Sequence, residues 1–113
     1  MRMWMVNPRI LCRRHLLGEH VELHMAAAWL RLGKHIDGWV DGNCLEPRSI
    51  ERRHKALAAE MKRRGYRHAS PLRQPRIAKH QHPAAKVNRA AALLELLHRC
   101  PTCKALKTGL KIA

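Results

Sequence analysis

Two groups within the first 32 residues have the chemistry to act together, the α-amine of Met1 and the carboxylate of Glu22. An α-amine titrates at roughly 7.7–8.0, against about 10.4 for lysine, so part of it is free base near neutral pH. A free amine attacks an electrophilic carbon and can carry a reaction through an imine (Schiff base). A carboxylate beside it can move the protons. His15, Gly18 and Glu19 share a helical face with Glu22. As a purely structural residue, Glu22 would pair with a neighbouring Arg or His, and His15 is available for that.

The element that must carry these residues is a long helix. Asn7 is a good N-cap, Pro8 suits a first helical position, and Gly33 is a natural stop after Leu32. The spacing predicts one helix across this span, with room for a short break near Cys12-Arg13 where basic residues crowd. At about 100° per residue the helix has two apolar stripes. Leu16, Leu23, Ala27 and Leu30 form one, while Leu17, Val21, Met25, Ala28 and Leu32 form the other. A helix apolar on two sides should be central, with one of its polar faces in a cleft. The face with Glu22 is the better candidate, because Gly18 leaves room for something to approach. Gly inside a helix costs roughly 1 kcal/mol relative to Ala, which asks for a reason. The other polar face, Arg13, His20, His24 and Arg31, reads as solvated.

Beyond Gly33 a loop rich in Gly runs to Pro47. A second helix is expected from Pro47 or Ser49 to Arg64, its inner side carrying Ile50, His54, Leu57, Ala58 and Met61. A third is expected from Ala85 to Arg99, followed by a short basic tail from Cys100. Residues 62–89 hold nine Lys or Arg, no acid, and prolines at 71, 75 and 83, so they read as an extended basic loop. The expected architecture is all-α. It is one compact domain over residues 1–113, of about three helices, with the N-terminus packed into the centre and a long basic loop between helices two and three. There is no internal repeat.

The chain of 113 residues carries 23 Lys and Arg against 8 Asp and Glu, a formal net charge of +15. Such an excess calls for a polyanion, most often nucleic acid. No apolar run approaches the ~18 residues of a membrane span, and no secretory signal is evident at the start. Four cysteines without an export signal point to reduced thiols in a cytoplasm. Cys100 and Cys103 form a single C-x-x-C, and a structural zinc would need Cys12, Cys44 or a His to join it. His20 and His24, at i and i+4, have the spacing of a metal clamp, but Glu22 is at the wrong offset for that motif. The expectation is therefore no metal and no cofactor.

With the N-terminus, Arg2, His15-Leu16, Glu19 and Glu22-Leu23 in place, the chain resembles the phage pyrimidine-dimer DNA glycosylases, the dimer-specific endonuclease V family. The match is gap-free from Met1 to about Leu23. It resumes at Lys34-His35, at Glu60-Met61-Lys62-Arg63-Arg64-Gly65-Tyr66 and at Pro101-Thr102. The resemblance implies a glycosylase and abasic-site lyase whose terminal amine attacks the sugar C1′ beside a damaged pyrimidine, assisted by a Glu. Family members use a small residue exposed by removal of the initiator Met. Here the matching position is Met1 itself, which the bulky Arg2 should keep in place.

The catalytic pair implied is Met1 and Glu22. Arg2, Arg13, Arg14, His15, Arg63, Arg64, Arg73, Arg76, Lys79 and Lys104 are the candidate DNA contacts. The family's arginines just before and three residues after the Glu are Val21 and Met25 here, so Arg13, Arg14 and the basic loop are expected to grip phosphates instead. The family tail is rich in aromatics near the damaged bases, and this tail has none. The expected partner is duplex DNA with a lesion or abasic site, bound by a monomer away from any membrane. The main alternative is a non-enzymatic, sequence-nonspecific DNA-binding protein. A zinc-stabilised interaction protein is a third.

Overall fold

Apolar residues spaced for one buried stripe set the arrangement of the helices. The computed structural model describes residues 1–68 and 70–112. Helix α1 is Arg13–Arg31, α2 is Asp37–Asp41, α3 is Ile50–Arg63, α4 is Arg89–Arg99 and α5 is Pro101–Ile112. The fold is all-α, and no strand occurs among the described residues. Leu16, Leu23, Ala27 and Leu30 of α1 are buried against Ile50, Leu57 and Met61 of α3 and Ala92 and Leu96 of α4, in one core. Each fully buried Leu contributes roughly 1.5–3 kcal/mol.

The N-terminal arm threads into this core as expected. Met3, Trp4 and Val6 are buried, and the Met3 amide donates to the Cys44 carbonyl at 2.8 Å. Asn7 caps its neighbour, its side chain accepting from the Arg9 amide at 3.0 Å. Pro8–Ile10 then makes only one 3-10 turn. The chain is extended at Cys12 before α1 begins, so the break near Cys12-Arg13 is present. Arg64 accounts for it physically. Its guanidinium donates to the Leu11 carbonyl at 2.7 Å and the Pro8 carbonyl at 3.2 Å, using acceptors a continuous helix would have consumed.

The second apolar stripe of α1 is a correction. Val21, Met25, Ala28 and Leu32 face solvent rather than a second layer, with Val21 64% exposed. No element among the described residues covers that side. Three helices were expected, and five α-helices occur among the described residues. The additional ones are the single turn α2 and the whole of α5, which the sequence pattern does not separate from a basic tail. Pro101 sits where its missing N–H costs nothing and starts α5, and Cys100 before it is extended. Helix α4 starts at Arg89 rather than Ala85. Asn88 caps it, accepting from the Ala91 amide at 3.0 Å, and the Val87 amide is committed to the buried Glu46 carboxylate at 3.0 Å.

The basic loop is strapped to the body. Gln81 is fully buried and donates to the carbonyls of Leu30 at 3.1 Å and Lys34 at 2.8 Å, capping the end of α1. Gly33 and Gly65, with φ of 72° and 83°, let the chain leave α1 and α3. No helix among the described residues is long and apolar enough to cross a membrane.

Candidate active site

The exposed turns of α1 and the threaded arm together wall a cleft of about 520 Å³. Met1, Arg2 and Trp4 come from the arm, Arg14, His15, Gly18, Glu19 and Glu22 from α1, and Arg99 from α4. The helical face carrying Gly18 and Glu22 thus opens on a cleft. Gly18 does leave room there, since a Cβ added to it would meet nothing within 4 Å.

Glu22 is half-buried. Its carboxylate accepts a hydrogen bond from the peptide N–H of Arg2, one residue from the chain's first nitrogen. Met1 and Glu22 therefore line one cleft, and the bond bridges 20 residues of sequence between Arg2 and Glu22.

Glu19, one turn earlier, is set up differently. Arg53 grips it from α3 with two hydrogen bonds, Nε to Oε2 at 2.5 Å and an amino group to Oε1 at 2.9 Å. The other Arg53 amino group donates to the Val6 carbonyl at 2.6 Å, so the same guanidinium fastens the arm. Burial pushes the Glu19 carboxyl above its ordinary range, and Arg53 opposes that shift. Glu19 is consumed by structure, leaving Glu22 as the carboxylate open to a ligand.

Arg2 lies over the Trp4 ring, 4.5 Å from its centroid, and pairs with Glu95. Glu95 also holds Arg99 at 2.6 Å. The Arg2 Nε is buried with no hydrogen-bond partner among the described residues. His15 turns its Nδ1 away from an ion pair with Glu22 and toward sulfur, 3.2 Å from Cys12 Sγ and 3.6 Å from Cys103 Sγ. Its pKa is lowered by burial and by Arg14 and Arg99, with Glu22 opposing.

The other candidate DNA contacts scatter. Arg13 is exposed and stacks over Tyr66 at 4.6 Å. Arg63 grips Glu60 yet stays half exposed, while Arg64 is largely enclosed by Glu60 and the carbonyls of the first turn. These two arginines, Arg63 first, hold the Glu60 carboxyl down to about 2. Arg73, Arg76, Lys79 and Lys104 are exposed. Arg76 and Lys79 line a different hollow, beside Leu30 and Arg31 at the end of α1. Of the expected set, Arg2, Arg14 and His15 reach the cleft.

Arg53, Glu95, Arg99 and Trp4 were not among the residues expected at the site. Arg53 carried a signal, a charged residue set within the inward stripe of α3 between Ile50 and Leu57. The helical pattern also puts His20 on a solvated face, and the structure corrects this. His20 is 8% exposed and joins His54 and His68, with Nε2 atoms 2.7 Å apart for His20 and His68 and 3.3 Å for His68 and His54. Burial, followed by the neighbouring imidazoles, lowers the His20 pKa to about 4. The loop after α3 returns across α1 to bring His68 there, a meeting with no local sequence trace.

Against known proteins, the family model for pyrimidine dimer DNA glycosylase matches residues 1–74. The matched part contains the arm, α1 and α3, and so Met1, Glu22, Glu19 and Arg53. Helices α4 and α5 lie outside it. No curated protein and no solved structure matches the chain.

Proposed function

Because the chain belongs to the pyrimidine dimer DNA glycosylase family, we propose that it excises a damaged base from duplex DNA and then nicks the strand as an abasic-site lyase. The observation that carries this reading is the hydrogen bond from the Arg2 peptide nitrogen to Glu22, in a cleft that Met1 also lines. The α-amine of Met1 attacks the sugar C1′, forming a C–N bond as the N-glycosidic bond breaks and the base leaves with its electron pair. Ring opening gives the imine. Loss of a C2′ proton then expels the 3′ phosphate by β-elimination. Glu22 manages the proton at the ring oxygen and at C2′.

DNA is held by charge around this opening. Arg14 sits on its rim, and Arg2 lines it. Arg13, Arg73, Arg76, Lys79 and Lys104 are solvent-facing cations suited to phosphates farther along the duplex. Gly18 leaves space for an extruded nucleotide, whose unstacking costs a few kcal/mol.

The test is strand cleavage of two duplexes, one carrying a pyrimidine dimer and one an abasic site, by the parent chain and a Glu22→Gln variant. Cleavage of both, slowed by about 10²–10⁴-fold in the variant, supports the proposal. Tight, salt-dependent binding of both duplexes without cleavage would leave only the non-enzymatic DNA-binding reading. Cleavage of the abasic duplex alone would keep the lyase and remove the dimer as substrate.

A further inference from the structure

Three sulfurs and one imidazole converge where the start of α1 meets the junction of α4 and α5. Cys12 and His15 come from a C-x-x-H at the head of α1, and Cys100 and Cys103 from the C-x-x-C that opens α5. Their four donor atoms all lie within 4.8 Å of one another. Cys12 Sγ is 3.9 Å from Cys100 Sγ and 3.2 Å from His15 Nδ1, and Cys103 Sγ is 3.6 Å from the same nitrogen. All four cysteines of the chain are free thiols.

Those separations can be compared with what a metal requires. Zinc bonds sulfur at about 2.3 Å and imidazole nitrogen at about 2.0–2.1 Å, so a tetrahedral ion holds sulfurs about 3.8 Å apart and sulfur and nitrogen about 3.6 Å apart. Two backbone amides already point at the sulfurs. The Cys12 N–H donates to Cys103 Sγ at 3.2 Å and the Cys103 N–H to Cys100 Sγ at 3.4 Å, bonds that favour thiolates and orient them. The cysteines are buried, with Cys103 fully so. Cys44 stands apart, donating to the Gly42 carbonyl at 3.2 Å.

We propose that Cys12, His15, Cys100 and Cys103 form a structural zinc site that ties α5 and the α4–α5 junction to the head of α1. Binding displaces three thiol protons to solvent and leaves a Zn(Cys)3(His) centre of charge −1. Arg14 and Arg99, each next to a ligand in sequence, offset that charge. Four protein ligands leave no open position, so the ion stabilises and does not catalyse. It joins a part of the chain inside the family match to one outside it. It also fixes His15, which forms part of the cleft wall edge-on to Trp4. The inference stands whether or not the cleft is an active site.

The test is metal analysis of the full, untagged, reduced chain loaded with zinc and dialysed, followed by X-ray absorption at the zinc edge. One zinc per chain with three sulfurs and one nitrogen in the first shell is expected, as is a tetrahedral thiolate spectrum when cobalt replaces zinc. Cys103→Ser should lose the stoichiometric ion, and His54→Gln, which removes an imidazole from the separate His20–His54–His68 cluster, should keep it. A first shell without sulfur, no retained zinc in fully reduced protein, or binding lost with His54→Gln and kept with Cys103→Ser would each overturn the proposal. Should Cys103→Ser fail to fold, the absorption spectrum of the parent chain decides alone.

Discussion

Replacing Arg53 by Met removes the cation from a fully enclosed pair and strands the buried Glu19 carboxylate, which keeps a hydrogen bond from the Trp4 backbone N–H. Arg53 is 6% exposed and the Glu19 side chain 0%, and the guanidinium makes three hydrogen bonds, two to Glu19 and one to the Val6 carbonyl. Breaking such a pair from one side costs about 3–5 kcal/mol, a large share of the roughly 5–15 kcal/mol that holds a domain folded. Burial already raises the Glu19 pKa, so without Arg53 the carboxyl takes up a proton on folding. A group whose folded pKa is raised contributes stability that is complete below its unfolded pKa and is lost as pH rises through the folded value. The deficit of Arg53→Met should therefore be largest at neutral pH and shrink toward pH 5. Urea unfolding at several pH values, with Glu19→Leu and the double variant closing a cycle, measures it. The double variant should recover much of the loss, because no buried charge is stranded. A deficit under about 1 kcal/mol at pH 7, the value of an exposed pair, would refute the reasoning.

Gly18→Ala should raise stability by about 0.5–1 kcal/mol, since the new Cβ meets nothing within 4 Å. The same variant should slow cleavage if the cleft takes a nucleotide, and thermal melts with single-turnover cleavage read both effects. The imidazole cluster should make the fold acid-sensitive. The folded His20 pKa is depressed to about 4, below the unfolded value of about 6.5, so its contribution is present above about pH 6.5 and is lost as pH falls toward 4. His20→Gln should flatten that part of a stability-versus-pH curve. Changing Arg73, Arg76 and Lys79 together to Gln should leave the melting temperature nearly unchanged. It should reduce the slope of log affinity against log salt by about 0.9 for each phosphate no longer neutralised. An unchanged slope would remove the loop from the DNA face.

Much of this arrangement was legible because it is local. The Gly33 stop and the stripe of Leu16, Leu23, Ala27 and Leu30 are periodic or chemical signals within a few residues of one another, whereas Asn7-Pro8 opens a 3-10 turn and not α1 itself. The opening beside Gly18 and Glu22 followed from the same helix. What was not legible depends on segments distant in sequence. Val21 and Met25 have the right spacing for burial, and only the absence of a covering element leaves them exposed. The imidazole cluster needs residues 20, 54 and 68 brought together by three segments. Arg53 finds Glu19 across 34 residues, and Glu95 finds Arg2 across 93. Helix α5 was missed for another reason, because Pro101 reads equally as a break and as a first helical residue.

The proposed chemistry requires that the chain's first nitrogen form a bond to DNA beside Glu22. Borohydride reduction during reaction with an abasic-site duplex, followed by peptide mass mapping, tests it most directly. A stable protein–DNA adduct is expected, its added mass on the Met1 amine, and it should be abolished when that amine is acetylated beforehand. An adduct carried by a lysine, or none during active cleavage, would contradict it.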